Sequence, residues 1–325
     1  MLARHRQRRR LPKNPRLCNN GSTTELERGE PVTLITERAR AKINLTLKVL
    51  GRRADGFHEL ESLVTFAGVA DVVTLDVGAP VGVTVAGPFG PSIAGENLVR
   101  VTLDRLALTE PALRLGHISL DKRLPIAAGI GGGSADAAAV LRAVRRANPG
   151  MADRVDWLGL AAKIGADVPV CFHNGPAIMR GTGERLQPIG DLAPLAVVLV
   201  NPQVPVPADK TARVFRTLAA EPLDPAHRDG NLKSATLRSR AQLLAFMAAT
   251  GNDLTKPALK VVPEIGQVLD ALANCKDVEL AALSGGGPTC FGVFADEASA
   301  AVAATILRAN HPTWWVVATE VSGVQ

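Results

Sequence analysis

From Arg40 onward the chain alternates: Ile43, Leu45, Leu47 and Val49 are apolar, and Lys42, Asn44, Thr46 and Lys48 stand between them. Period two predicts a strand with one buried face, and it sets Lys42 beside Asn44 on the other face. A turn segment, GRRADGFHEL, leads to a second strand-like run over 62–68, and DVVTLDV and VGVTVAG read as further strands. The pattern changes at ENLVRVTLDRLAL, where Leu98, Val101, Leu103 and Leu106 fall at helical spacing. HISLDKRLP returns to alternation, closed by Pro125. Composition predicts a helix over 134–148, stopped by Asn148-Pro149-Gly150, and another over 156–164, ended by Gly165. Past a composition shift near 186–194 come LAVVLVNP and helical stretches around 210–219 and 232–249. VELAALSGGGPTCFGVF then reads as strand, glycine loop and strand, followed by a helix near 297–309 and a strand around 314–319.

No internal repeat is visible, and 325 residues suffice for two domains of ordinary size. A 46% hydrophobic and 21% charged composition fits a folded protein with a substantial core. The longest apolar run, 192–200, contains Pro194 and falls far short of the ~18 residues of a membrane span. Cys18, Cys171, Cys275 and Cys290 show no C-x-x-C pair and no His partners at metal-ligand spacing, so they read as reduced thiols in a cytoplasmic protein. The net charge of +6 points to nucleic acid until it is located. Residues 1–31 carry eight basic and three acidic side chains, a net of +5, which leaves everything after residue 31 at +1. A protein that binds nucleic acid through its folded body keeps its basic residues there. The 1–31 segment lacks periodicity and is rich in Arg, Asn, Pro and Gly, so it reads as a disordered basic tail. No apolar stretch makes it a secretory signal, and its single serine and three glutamates argue against a transit peptide.

Candidate chemistry centres on PIAAGIGGGSADAAAVLRAV, with four glycines between Gly129 and Gly133 directly ahead of a helix. A helix N-terminus offers unpaired N–H groups and partial positive charge, and glycines let that backbone approach a ligand. Together they make an anion site, most often for phosphate. The Walker A ending and the G-x-G-x-x-G spacing are both absent. Ser134 can cap the helix or donate to a phosphate, and Asp136 lies in its first turn, where capping is a better reading than metal binding.

Four segments occur in order: ARAKINLTLKVLGRRADGFHELESL, DKRLPIAAGIGGGSADAA, KIGADVPVCF and LSGGGPTCFGVF. Together they resemble the GHMP kinase superfamily, which includes galactokinase and the homoserine, mevalonate and phosphomevalonate kinases. AKINL, ADGFHEL and GADVP resemble the branch whose alcohol substrate carries a cytidine diphosphate. The likeness runs from about Arg40 to the C-terminus, and the tail has no counterpart in it. It implies an α+β fold of two domains, with 32–185 an ATP-binding domain like domain 2 of ribosomal protein S5 and 186–325 a ferredoxin-like domain.

The resemblance implies ATP as phosphate donor, magnesium arriving as the nucleotide complex on unidentified ligands, and a small-molecule cytidine diphosphate partner. Neither nucleic acid nor membrane is expected as a partner, and monomer and homodimer both stay open. By the same resemblance Lys42 and Asp167 are catalytic, with Asp167 the general base, where the plain alternatives are an exposed lysine and a helix cap. Asn44, Phe57, His58 and Phe215 are implied to hold the substrate, with His58 reading cytosine and the phenylalanines stacking on it. Phe57 stands where the family often has tyrosine, and this chain has no tyrosine at all. The loop residues Pro125, Ile126, Ala127, Ala128, Gly129, Ile130, Gly131, Gly132, Gly133, Ser134 and Ala135 are implied to wrap the ATP phosphates, with Asn97 and Lys122 near the adenine. Gly285, Gly286 and Gly287 are implied by the resemblance to close the site, where the plain alternative is a turn between strands. The rival readings are another GHMP small-molecule kinase, a non-catalytic nucleotide-binding protein on this fold, and an RNA-binding protein using the tail.

Overall fold

The computed structural model describes residues 34–92, 97–190, 192–224, 226 and 237–322. The expected disordered tail therefore lies outside the described residues. Among the described residues eleven strands make one mixed sheet, organised on a single long strand, β3 (His58–Asp76). One edge of β3 carries β1 (Leu34–Asn44) and then β2 (Lys48–Arg52), both antiparallel. The other edge carries β6 (Ala177–Gly181) beside Leu60–Val64, β11 (Trp315–Ser322) beside Phe66–Ala67, and β5 (His117–Asp121) beside Val72–Asp76. Outward from β5 lies β4 (Gly82–Ala86), and from β6 lies β7 (Arg185–Pro188). On the far side of β11 the sheet continues through β8 (Leu195–Asn201), β10 (Cys290–Phe294) and β9 (Val278–Leu283).

Two details depart from the expected pattern. The runs over 62–68 and 71–77 are one 19-residue strand rather than two. The alternation from Arg40 breaks at 45–47, between β1 and β2, and its polar side is not solvated: Lys42, Asn44 and Thr46 are all buried. A polar row that folding removes from water must meet its partners inside the protein.

Helices α1 (Leu98–Thr109), α2 (Gly132–Ala147), α3 (Trp157–Ile164) and α4 (Val168–His173) share one hydrophobic core with β1, β3 and β5. The alanines of α2 are buried against this sheet, and their small side chains let the helix come close to β1. Arg142 on α2 locks the layer by bonding Glu37 Oε2, the Arg38 carbonyl and the Cys171 carbonyl at 2.9, 2.9 and 2.7 Å. The later part of the chain adds α5 (Lys210–Leu218), α6 (Arg240–Thr250), α7 (Thr255–Val261), α8 (Glu264–Ala273) and α9 (Glu297–Asn310). Helices α7, α8 and α9 pack with β8 and β10 around Phe294, Val198 and Ile265. Among the described residues no helix is long and apolar enough to cross a membrane.

Candidate active site

Strand β1 is bulged between Arg40 and Lys42, where its register against β3 shifts. A bulge frees one backbone group and re-aims the next side chain. Here the freed Lys42 N–H donates to the Ile130 carbonyl at 2.9 Å, which pins the glycine loop onto the strand. The side chain of Lys42, 7% exposed, reaches Asp167, and Nζ donates to Oδ2 at 2.8 Å. Asp167 precedes α4 without capping it, so its carboxylate is left for the lysine. Helix α4 is the short element that Asp167 could have capped, and Pro169 falls in its first turn, where proline is tolerated.

The glycine loop needs backbone shapes closed to other residues. Gly129 has φ +75, and a Cβ there would lie 2.3 Å from the Gly287 carbonyl oxygen. Gly131, the residue before α2, has φ +66 and packs against Lys42. Helix α2 thus starts at Gly132, earlier than the pattern indicated, and Ser134 sits inside its first turn rather than at the cap. A concave cradle of ≈ 340 Å³ lies over this N-terminus, lined by Asn97, Lys122, Pro125, Ile126, Ala127, Ala128, Gly129, Gly131, Gly132, Gly133 and Ser134. Ile130 and Ala135 bury their side chains in the core and do not line the cradle.

Asn97 accepts from the Val99 N–H at 2.9 Å and so caps α1. Lys122 is also more committed than expected: it is buried, and Nζ donates to Asp71 at 2.5 Å and Asp136 at 2.6 Å. Burial pulls its ammonium down, but Asp136 and Asp71 outweigh that and the net shift is upward. Asp136 caps nothing, and burial pushes its carboxyl well above the usual range. Asp71 Oδ1 also accepts from the N–H groups of Arg123 and Leu124, which anchors the loop just before Pro125.

A second cavity of ≈ 360 Å³ adjoins the cradle through the shared residues Gly129, Gly131 and Ser134. It contains the Lys42–Asp167 pair together with Asn44, Ser62, Lys210, Gly285 and Gly286. The Asn44 amide is oriented by its partners. Ser62 Oγ donates to the Thr46 carbonyl at 2.6 Å, so it accepts from Asn44 Nδ2 at 2.7 Å. That leaves Asn44 Oδ1 buried with no partner among the described residues, beside Gly285. Serine 284 brings the second glycine loop to the same place, its Oγ accepting from the Asn44 N–H at 3.1 Å.

A third cavity, ≈ 590 Å³, shares Leu60, Thr182, Thr211 and Phe215 with the second. His58 and Phe215 line it with their rings stacked on each other, centroids 4.8 Å apart. Burial, and then Arg52, lower the His58 pKa and favour the neutral ring. Phe57 lies at the rim, 62% exposed. Lys210, Ser62, Ser284 and Asp71 were not anticipated. Among the described residues no three His, Cys, Asp or Glu side chains converge as a metal site.

The chain is similar to known proteins over most of its length. The sequence profile of the GHMP kinases N terminal domain matches 97–175, and that of the GHMP kinases C terminal domain matches 231–313. A 4-diphosphocytidyl-2-C-methyl-D-erythritol kinase of Parvibaculum lavamentivorans is 47% identical over 294 residues, covering 89% of this chain and 99% of its own. That of Methylobacterium radiotolerans is 48% identical over 293 residues, with the same coverage. A crystal structure of 4-(cytidine 5'-diphospho)-2C-methyl-D-erythritol kinase superposes with a TM-score of 0.68 at 30% identity, over 90% of this chain and 100% of that one. The homoserine kinase from Cytophaga hutchinsonii superposes at 0.64 and 17% identity, over 90% of this chain and 96% of that one, a likeness of fold.

Proposed function

The chain belongs to the GHMP kinase family, and from that premise we propose that it uses ATP to phosphorylate the 2-hydroxyl of 4-diphosphocytidyl-2-C-methyl-D-erythritol, on the non-mevalonate route to isoprenoid precursors. The observation that carries the reading is the Lys42–Asp167 pair, held in a cavity that shares walls with a phosphate cradle on one side and an aromatic pocket on the other. The N–H groups opening α2, with the positive end of its dipole, bind the nucleotide phosphates. Asp167 accepts the proton of the attacking hydroxyl, and Lys42 holds that carboxylate in place and stabilises charge on the group in transfer. Asn44 Oδ1, the unpartnered acceptor, takes a hydrogen bond from an acceptor hydroxyl. His58 reads the cytosine edge beside Phe215 and Phe57. Magnesium is read as arriving with the nucleotide, since this ion is usually held by substrate phosphates and one or two carboxylates rather than by an all-protein cage. Cys171, Cys275 and Cys290 are unpaired, which fits a cytoplasmic setting.

The deciding experiment is a direct kinase assay with the cytidine diphosphate substrate against homoserine and mevalonate. Turnover of the first alone is expected. Equal or better use of either rival alcohol would assign the chain elsewhere in the family.

A further inference from the structure

Lys210 opens α5 and is 6% exposed, yet among the described residues it pairs with no carboxylate. Its Nζ donates to the Gly287 carbonyl, and an ammonium has three donors, so two remain without a described acceptor. Gly287 is also the residue whose oxygen abuts Gly129, which puts Lys210 where the two glycine loops meet. Lys210 lines the cavity of Lys42 and Asp167, and its neighbour Thr211 lines both that cavity and the His58–Phe215 pocket. A buried, unpaired cation is unfavourable unless something negative arrives. Burial alone pulls this ammonium down to about 8.

We propose that Lys210 is a second phosphate-holding cation of the transfer cavity, its free donors taken by phosphate oxygens when the site fills. The inference rests on the kinase reading above. Phosphate reaches this cavity from two sources, the group being transferred from ATP and the diphosphate of the acceptor, and both present the same oxygens to Lys210. A hydrogen bond to a charged group in this setting changes binding by about ten- to a hundred-fold.

The test uses the full chain with Lys210→Met, which keeps length and removes charge, and Lys210→Arg, which restores the charge. Inorganic pyrophosphate titrated into each by calorimetry should bind ten- to a hundred-fold more weakly to the Met variant, with the Arg variant recovering part of the loss. In steady state, a raised KM for the cytidine substrate with kcat kept assigns Lys210 to the acceptor diphosphate. A lowered kcat with both KM values kept assigns it to the group in transfer. A folded Lys210→Met protein with pyrophosphate binding and kinetics like the parent overturns the proposal. Failure of the kinase reading shows separately, as a parent protein that does not turn over the cytidine substrate, and the pyrophosphate titration still tests the cation in that case.

Discussion

Lys42 and Asp167 lie 125 positions apart, yet one 2.8 Å hydrogen bond makes them a unit. Asp167→Asn keeps the size and removes the base, so turnover should fall by roughly 10²–10⁴ with ATP affinity little changed. Lys42→Ala should also lose turnover, and the double variant should lose far less than the product of the two. Near-normal turnover in Asp167→Asn would end its assignment as base. For His58 the informative quantity is a ratio. Stacking accepts any base, so His58→Ala should narrow the preference for the cytidine substrate over its uridine analogue, whereas Phe57→Ala should weaken both about equally. An unchanged ratio in His58→Ala would place base reading elsewhere. The resemblance pointed to these residues through the short segments that hold them, and the fold brings them to two adjoining cavities. Lys210 was not legible in the sequence. In ADKTARVF it looks like Arg213 and Arg216, which pair with Asp209 at the surface, and only the docking of α5 against Gly287, 77 positions away, buries it.

At the scale of elements, helix starts do the positioning. Asn97 caps α1 and also lines the cradle, so its two roles need separating. Asn97→Asp preserves an oxygen for the Val99 N–H and should melt close to the parent, while Asn97→Ala should lose about 1 kcal/mol. If both raise the KM for ATP, the residue also touches the nucleotide; if only the unstable variant does, the cap is its whole contribution. Most elements were readable from period, and the failures have physical causes. β3 looked like two strands because Gly68 and Asp71 interrupt its apolar run, and Asp71 is tolerated mid-strand only because Lys122 and two backbone N–H groups satisfy it. Ile130 looks like its neighbours in a glycine-rich string, and the turn that sends its side chain inward depends on the left-handed Gly129 and Gly131 on either side, while Ala135 is buried by its place on the inner face of α2.

For the whole molecule, Lys210 makes stability and activity pull apart. The Lys210 pKa is 10.5 in an exposed chain and about 8 in the folded one, with Lys42 and Asp167 the charged groups that share its cavity. Above pH 10.5 the group is neutral in both states and exerts no effect. As the pH falls from there to 8 the unfolded chain takes up the proton first, so folding stability drops, and below 8 the deficit is constant. Lys210→Met should therefore melt higher than the parent at pH 7, by the equivalent of roughly 1–3 kcal/mol once the lost bond to Gly287 is counted. The gap should shrink above pH 8; a parent that is the more stable at pH 7 would contradict the burial argument. The sheet has a further consequence. β11 is the seam between β3 and β8, pairing Val321 with Ala67 on one side and with Leu195 on the other. A chain leaving the ribosome presents β3 and β8 long before residues 315–322 exist to join them. Until then two strand edges stay open, with the apolar run of β8 behind one of them. The same order holds for the site: Lys42 and Asp167 precede Gly285, the residue that meets Asn44, by more than a hundred positions, so a chain cut before β9 is expected to keep the catalytic pair and lack the second glycine loop.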